Sequence, residues 1–205
     1  MRVIEEIARV IVKFILCTFV RVKVSGLENI PEKGGFIMAA NHNSALDVIY
    51  VEYKLKRRVR WMAKAELFKN KLVGWFLKKL GAFPVKRGAV DINAAKTVFE
   101  LLKDGEILGI FPQGTRSKDP ANPVKARHGV AKFAVEAGVP VVPVALYGKF
   151  RIFGKAYVKY GKPFMIEKKA DGTPYTKAEY TEISQKLVDD IYAMMTEDGN
   201  GNNKG

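Results

Sequence analysis

Sulfur and imidazole are scarce in this chain, which has one cysteine and two histidines among 205 residues. A lone Cys17 excludes an internal disulfide and fits a reducing compartment. Cys17, His42 and His128 stand too far apart for metal-ligand spacing, so no metal centre is expected. Long apolar runs are missing from the N-terminal segment. Its uncharged stretch from Phe14 to Val20 is far short of the roughly 18–20 residues that span a bilayer. The segment "MRVIEEIARVIVKFILCTFVRVKV" also carries Glu5, Glu6, Arg9 and Lys13, which breaks the pattern of a secretory signal. No G-x-S-x-G elbow occurs, which disfavours a serine hydrolase of that kind. Internal repeats and an interdomain linker are absent as well. Acidic side chains are outnumbered, with 21 Asp and Glu against 35 Lys and Arg.

The resulting net charge of +14 and pI near 9.8 draw polyanions: nucleic acid, anionic lipid, phosphorylated substrates or acidic carrier proteins. A hydrophobic content of 48% with 27% charged residues is that of a globular domain, and the length suits one such domain. Cations concentrate between Lys54 and Arg87, where Glu66 is the one acidic residue. Within that span "LFKNKLVGWFLKKLG" interleaves Leu, Phe and Trp with lysine, the composition of a helix at an anionic membrane surface. The bland alternative is a core-packed helix with a solvated basic face. No zinc, RNA-recognition or helix-turn-helix signature accompanies the charge, so no nucleic acid partner is expected.

Periodicity divides the chain. Ile4, Ile7, Ile11, Phe14 and Ile15 recur at helical spacing, which predicts an amphipathic, membrane-associating helix over residues 1–20. Residues 21–195 alternate strand and helix patterns through short connections, and residues 196–205 form a tail expected to be disordered. The strands are "VRVKV", "GFIMAAN", "VRWMA", "GAFPVKRG", "EILGI" and "VPVVPVALYG", with "AYVKYGKPFMI" as a hairpin. Helices are expected over "SALDVIYVEYKL", Ala65 to Leu80, "DINAAKTVFELLKDG", "GVAKFAVEAG" and "TKAEYTEISQKLVDDIYAMM". The last opens with Thr176 and Glu179 as a capping box. This order predicts a single α/β domain with a largely parallel or mixed central sheet flanked by helices.

Two stretches carry candidate chemistry. "NHNSALD" places His42 where a buried strand ends and Asp47 five positions later, in the first turn of a helix. From there the carboxylate can reach back, bond one ring nitrogen and leave the other to take a proton. Ser44 and Asp47 also read as a capping box that needs no catalysis. "FPQGTRS" ends a strand in a loop whose Gly114, Thr115 and Arg116 suit anion binding, with a solvated turn as the alternative. "FPVKRG" repeats the theme with Arg87 beside Gly88.

The order of the pieces is more specific than any one of them. His-x4-Asp, then G-x-F-x-V-x-R (Gly81 to Arg87), F-P-x-G-T-R (Phe111 to Arg116) and V-P-V-x-P-V (Val139 to Val144) resembles the 1-acylglycerol-3-phosphate acyltransferase family. The likeness runs from about Val24 to Lys162. It implies transfer of an acyl chain from acyl carrier protein or coenzyme A to the 2-hydroxyl of lysophosphatidic acid, forming phosphatidic acid with no further cofactor. It implies His42 as general base, Asp47 as its orienting partner, and Arg87, Gly114, Thr115 and Arg116 at the acceptor phosphate. Lys64 matches a basic position that assists with phosphate in relatives. Gln113 stands where relatives commonly carry glutamate; it keeps an acceptor oxygen for the acyl acceptor but loses the charge. His128 reads as a surface residue or one behind the site. A membrane-associated enzyme on the cytoplasmic face follows from the same likeness. Other lysolipid or glycerol-3-phosphate-like acceptors, and a non-catalytic basic membrane- or nucleic-acid-binding protein, are the competing readings.

Overall fold

The computed structural model describes residues 19–86, 91–117 and 124–197. The helix expected over residues 1–20 and the tail 196–205 lie almost wholly outside these residues, and Arg87 does too. The strands are β1 (Arg21–Ser25), β2 (Phe36–Ala40), β3 (Val59–Lys64), β4 (Phe83–Val85), β5 (Ile107–Ile110), β6 (Val141–Gly148) and β7 (Lys155–Tyr160). The helices are α1 (Asp47–Val51), α2 (Lys71–Lys79), α3 (Ile92–Lys103), α4 (Gly129–Ala137) and α5 (Lys177–Glu197).

The strands form one 7-stranded sheet in the order β1-β7-β6-β2-β5-β3-β4. Neighbours are parallel except for β6 and β7, which are antiparallel, so the sheet is mixed. The domain is thus the expected α/β architecture. Alternate residues of the central strands feed opposite faces, as a period of two requires. Phe36, Met38, Trp61 and Ile107 pack on the side of Tyr50 and Val51 of α1. Ile37, Ala39, Leu108 and Ile110 pack on the side of α3, α4 and the end of α5. β2 is buried at every position, as befits a central strand covered on both faces.

Three elements differ from the periodic reading. The helix over "SALDVIYVEYKL" shrinks to Asp47–Val51. Glu52 at its end is 2% exposed and accepts from Trp61 Nε1 at 2.8 Å, which turns the chain inward. The β-branched Val48, Ile49 and Val51 also favour helix weakly. The Ala65–Leu80 helix is divided into a 3₁₀ turn, Ala65–Lys69, and α2, because Asn70 caps α2 by accepting from the N–H groups of Leu72 and Val73. The expected hairpin does not form. β7 is flanked by β6 and β1, which leaves it no free edge, and Phe164 bridges Val141 of β6 instead. The Thr176–Glu179 capping box is present: Thr176 N donates to Glu179 Oε2 at 2.6 Å, and Glu179 N to Thr176 Oγ1 at 3.2 Å. Its bonds to Lys169 and to Thr176 pull the Glu179 carboxyl down to about 2.

Some cations of the basic run are structural. Arg57 donates to the carbonyls of Pro31 (2.9 Å), Gly34 (2.7 Å) and Gly105, and its guanidinium lies over Phe36. It thereby ties together the loops that enter β2 and β5. Arg58 donates to the Lys79 carbonyl and Arg60 to Glu106. Arg57→Ala should lower unfolding free energy by about 2 kcal/mol, since bonds from a charged donor contribute roughly 1.5–3 kcal/mol and these are partly solvated. Chemical denaturation measures it; an unchanged midpoint would show that water replaces the guanidinium at no cost.

Candidate active site

Because β2, β5, β3 and β4 run in one direction, their carboxyl ends meet at one edge of the sheet. His42 follows β2, Phe111–Ser117 follow β5, Lys64 ends β3 and Lys86 follows β4. Ligands of α/β sheets bind at such an edge.

His42 Nδ1 lies 2.8 Å from Asp47 Oδ2. The same oxygen accepts from the backbone N–H of Asn43 at 2.6 Å and of Ser44 at 2.7 Å. Half of the expected capping box forms: Asp47 takes the Ser44 N–H, but its own N–H goes to the Ser44 carbonyl at 3.3 Å and the N-cap, Leu46, has no side-chain cap, so one carboxylate oxygen receives the loop N–H groups together with the imidazole. Ser44 Oγ accepts from Leu46 N at 3.2 Å, which completes the local turn. Asp47 is fully buried, and its Oδ1 has no hydrogen-bond partner among the described residues. Two tethers hold the neighbourhood. Asn41 exchanges bonds with the backbone of Leu146, 2.9 Å to its carbonyl and 2.7 Å from its N–H, locking the end of β2 to β6. The Tyr160 hydroxyl donates to the Val51 carbonyl and so anchors α1.

The imidazole is also stacked. Its centroid lies 3.9 Å from that of Phe111 at an interplanar angle of 14°, and Phe111 stacks on Trp61 at 4.9 Å and 17°. The column ends at Glu52, which takes the Trp61 N–H. Ring orientation at His42 is thus set by a carboxylate along one edge and an aromatic plane across one face.

His42 and Phe111 line a cleft of about 900 Å³ between α3 and α4. Its walls combine apolar residues such as Val85, Ile92, Phe99, Val130 and Phe133 with Lys86, Arg127, Lys132 and Lys177, against Asp91 and Glu136.

A sequence profile of the acyltransferase family matches residues 21–147. The 1-acyl-sn-glycerol-3-phosphate acyltransferase of Bacillus subtilis is 39% identical over 177 residues, which cover 86% of this chain and 83% of that protein. The chain belongs to the 1-acyl-sn-glycerol-3-phosphate acyltransferase family. The chloroplastic 1-acyl-sn-glycerol-3-phosphate acyltransferase BAT2 of Brassica napus is 35% identical over 65% of this chain and 39% of its own. Among solved structures, the 1-acyl-sn-glycerophosphate acyltransferase PlsC of Thermotoga maritima superposes with a TM-score of 0.64 at 28% identity, over 93% of this chain and 82% of that one.

Within this acyltransferase the sequence-derived residues divide. His42, Asp47 and the Phe111–Ser117 loop converge, and Ser117 N donates to the His42 carbonyl at 2.7 Å, coupling the loop to the histidine. Gly114 lines the cleft, whereas Thr115 and Arg116 are exposed on the same loop. Lys64 is exposed at the end of β3, 3.8 Å from Glu66. Gln113 turns away from the cleft: it is 1% exposed, and its amide donates to the Tyr192 hydroxyl of α5 at 3.2 Å. The amide nitrogen joins the loop to α5, and the Gln113 Oε1 has no hydrogen-bond partner among the described residues.

Arg127 escaped the sequence reading. Its backbone N–H donates to the Pro112 carbonyl at 2.8 Å, and its side chain passes over Gly114. A Cβ at Gly114 would lie 3.0 Å from Arg127 Cδ, and the backbone there has φ of 67°, so glycine serves both the turn and the arginine. The signal available was "KARHGV", in which His128 drew attention and Arg127 did not. His128 lines the cleft at the start of α4, and burial, aided by the Lys177, Lys132 and Arg127 cations, holds its imidazole below the ordinary value. The cleft is therefore electropositive, which suits an anionic ligand.

Proposed function

We propose that the enzyme acylates the 2-hydroxyl of 1-acylglycerol-3-phosphate to give phosphatidic acid, with His42 as general base. The 2.8 Å contact between His42 Nδ1 and Asp47 Oδ2 carries this reading. With Nδ1–H donated to Asp47, Nε2 takes the hydroxyl proton while the alkoxide-like oxygen attacks the thioester carbonyl. The tetrahedral intermediate collapses, the C–S bond breaks, and the departing thiolate takes the proton from the imidazolium. Asp47 balances the imidazolium charge while it lasts. Acyl carrier protein and coenzyme A both present the required thioester. The relatives' names supply the acceptor, and the electropositive cleft with apolar walls supports it: guanidinium and ammonium groups for phosphate, hydrocarbon-compatible surface for an acyl chain. Arg87, Lys64, Thr115 and Arg116 belong to the acceptor side of this proposal, with Arg127 added. The enzyme works at a membrane surface in this reading; among the described residues no helix is long and apolar enough to cross one.

Incubation with lysophosphatidic acid and an acyl thioester should release thiol and form phosphatidic acid, followed by chromatography. Arg127→Ala should raise the Michaelis constant for the acceptor about ten- to hundredfold with a smaller change in kcat, the loss typical of a charge-assisted bond. Arg116→Ala should act in the same direction. If both constants stay put, the phosphate does not bind at this loop.

A further inference from the structure

Helix α2, KLVGWFLKK, is 9 residues long and buries only Gly74. Leu72 is 80% exposed and Trp75 61%, with Phe76, Val73 and the preceding Leu67 also exposed. Lys69, Lys71 and Lys78 stand exposed around them. Such a contiguous apolar patch ringed by cations is unusual on a soluble surface and marks a contact site. A second patch of the same character stands on the same side of the sheet, where Phe150 of the β6–β7 turn packs with Phe68 and Leu77 into the cluster around Tyr50 and Val51. The turn between β6 and β7 exposes Ile152 (67%) and Phe153 (69%) beside the exposed Lys149 and Arg151. Phe153 holds φ of 60°, a costly conformation for a bulky residue, and donates its N–H to the carbonyl of the exposed Phe19.

Both patches sit at the carboxyl edge of the sheet. The 3₁₀ turn and the first turn of α2 leave the end of β3, and the turn at Ile152 leaves the end of β6. β3 and β6 are three positions apart in the sheet, so the strand ends from which the patches leave are separated by roughly 14 Å at the usual strand spacing. His42 follows β2 between them. We infer that α2 and the β6–β7 turn dock together on an anionic lipid surface and turn the carboxyl edge of the sheet, where His42 lies, towards it. The inference rests on the proposed lipid acceptor. Charge selects the partner: lysines beside aromatic and leucine side chains match acidic headgroups over hydrocarbon. The separation of the patches favours a surface broad enough to touch both.

The chain carries two tryptophans, and Trp61 is 2% exposed, so changes in emission on docking report Trp75. With the full chain and phosphatidylglycerol vesicles, Trp75 emission should shift to the blue and lose acrylamide quenching; phosphatidylcholine vesicles should produce a much weaker response. Leu72→Ser and Ile152→Ser should each lower vesicle affinity several-fold. Removing Lys71 or Lys78 should cost about fivefold each on the anionic vesicles alone. His42→Ala should bind vesicles normally without turnover, and Leu72→Ser should keep its turnover on acceptor dispersed in detergent. Failure of docking is thereby distinguished from failure of the proposed reaction. The inference is overturned if Trp75 is shielded before vesicles are added, since the chain then covers the patch itself. It is equally overturned if an acidic acyl carrier protein, and not lipid, moves the emission, or if phosphatidylglycerol leaves it unchanged.

Discussion

His42→Ala is expected to slow acyl transfer by at least ~10²-fold, the scale of a lost general base. The acceptor's Michaelis constant should change little, because the imidazole acts on the proton and not on the phosphate. Asp47→Asn probes the same contact differently. An amide nitrogen facing His42 would favour the tautomer with the proton on Nε2, which cannot accept one from substrate. The native carboxylate oxygen also receives the Asn43 and Ser44 N–H groups, so this substitution disturbs the entry to α1 as well. Turnover in Asp47→Asn should therefore fall together with thermal stability, whereas His42→Ala should keep its melting temperature within a few degrees. Retained turnover in His42→Ala would remove the histidine from the mechanism.

Trp61→Ala should be the most damaging core substitution at the site. Trp61 is almost wholly buried, stacks on Phe111 and donates to the buried Glu52. Truncating a buried tryptophan costs about 3–5 kcal/mol. Backbone packing leaves no slack for repair: a Cβ on Gly109 of β5 would already lie 2.5 Å from the indole, so this neighbour is cut to the ring's shape. Trp61→Phe keeps an aromatic plane beneath Phe111 and loses the hydrogen bond, with an expected cost of about 1–2 kcal/mol. Urea denaturation separates the two variants. If the column positions His42, Trp61→Phe should also lower kcat by a modest factor at unchanged acceptor Michaelis constant; equal losses of stability in the two variants would show that the stack contributes nothing.

Periodicity and local chemistry carried the α/β class, most strand positions and the Thr176 cap, because each depends on residues close in the chain. His42 and Asp47 were legible for the same reason. Their contact closes within five residues, and the strand end and helix start that hold them have their own signals. The shortened α1 was not legible. Its end is set by Glu52 meeting Trp61, a pairing that periodicity does not encode, and the missing hairpin follows from β1 occupying an edge that looked free.

The family, the pairing of His42 with Asp47 and the Gly114 loop at the end of β5 were legible from the chain alone. Tertiary structure decided which cations face the cleft. In the chain, Arg57, Arg58, Arg116 and Arg127 are alike as charges. Once folded, Arg57 and Arg58 are committed to backbone carbonyls, Arg116 stands exposed on the Phe111–Ser117 loop, and Arg127 lies over Gly114 in the wall of the cleft. Charge is a property of the residue, but the place where it acts is set by strand order, and strand order depends on contacts between residues far apart in the chain.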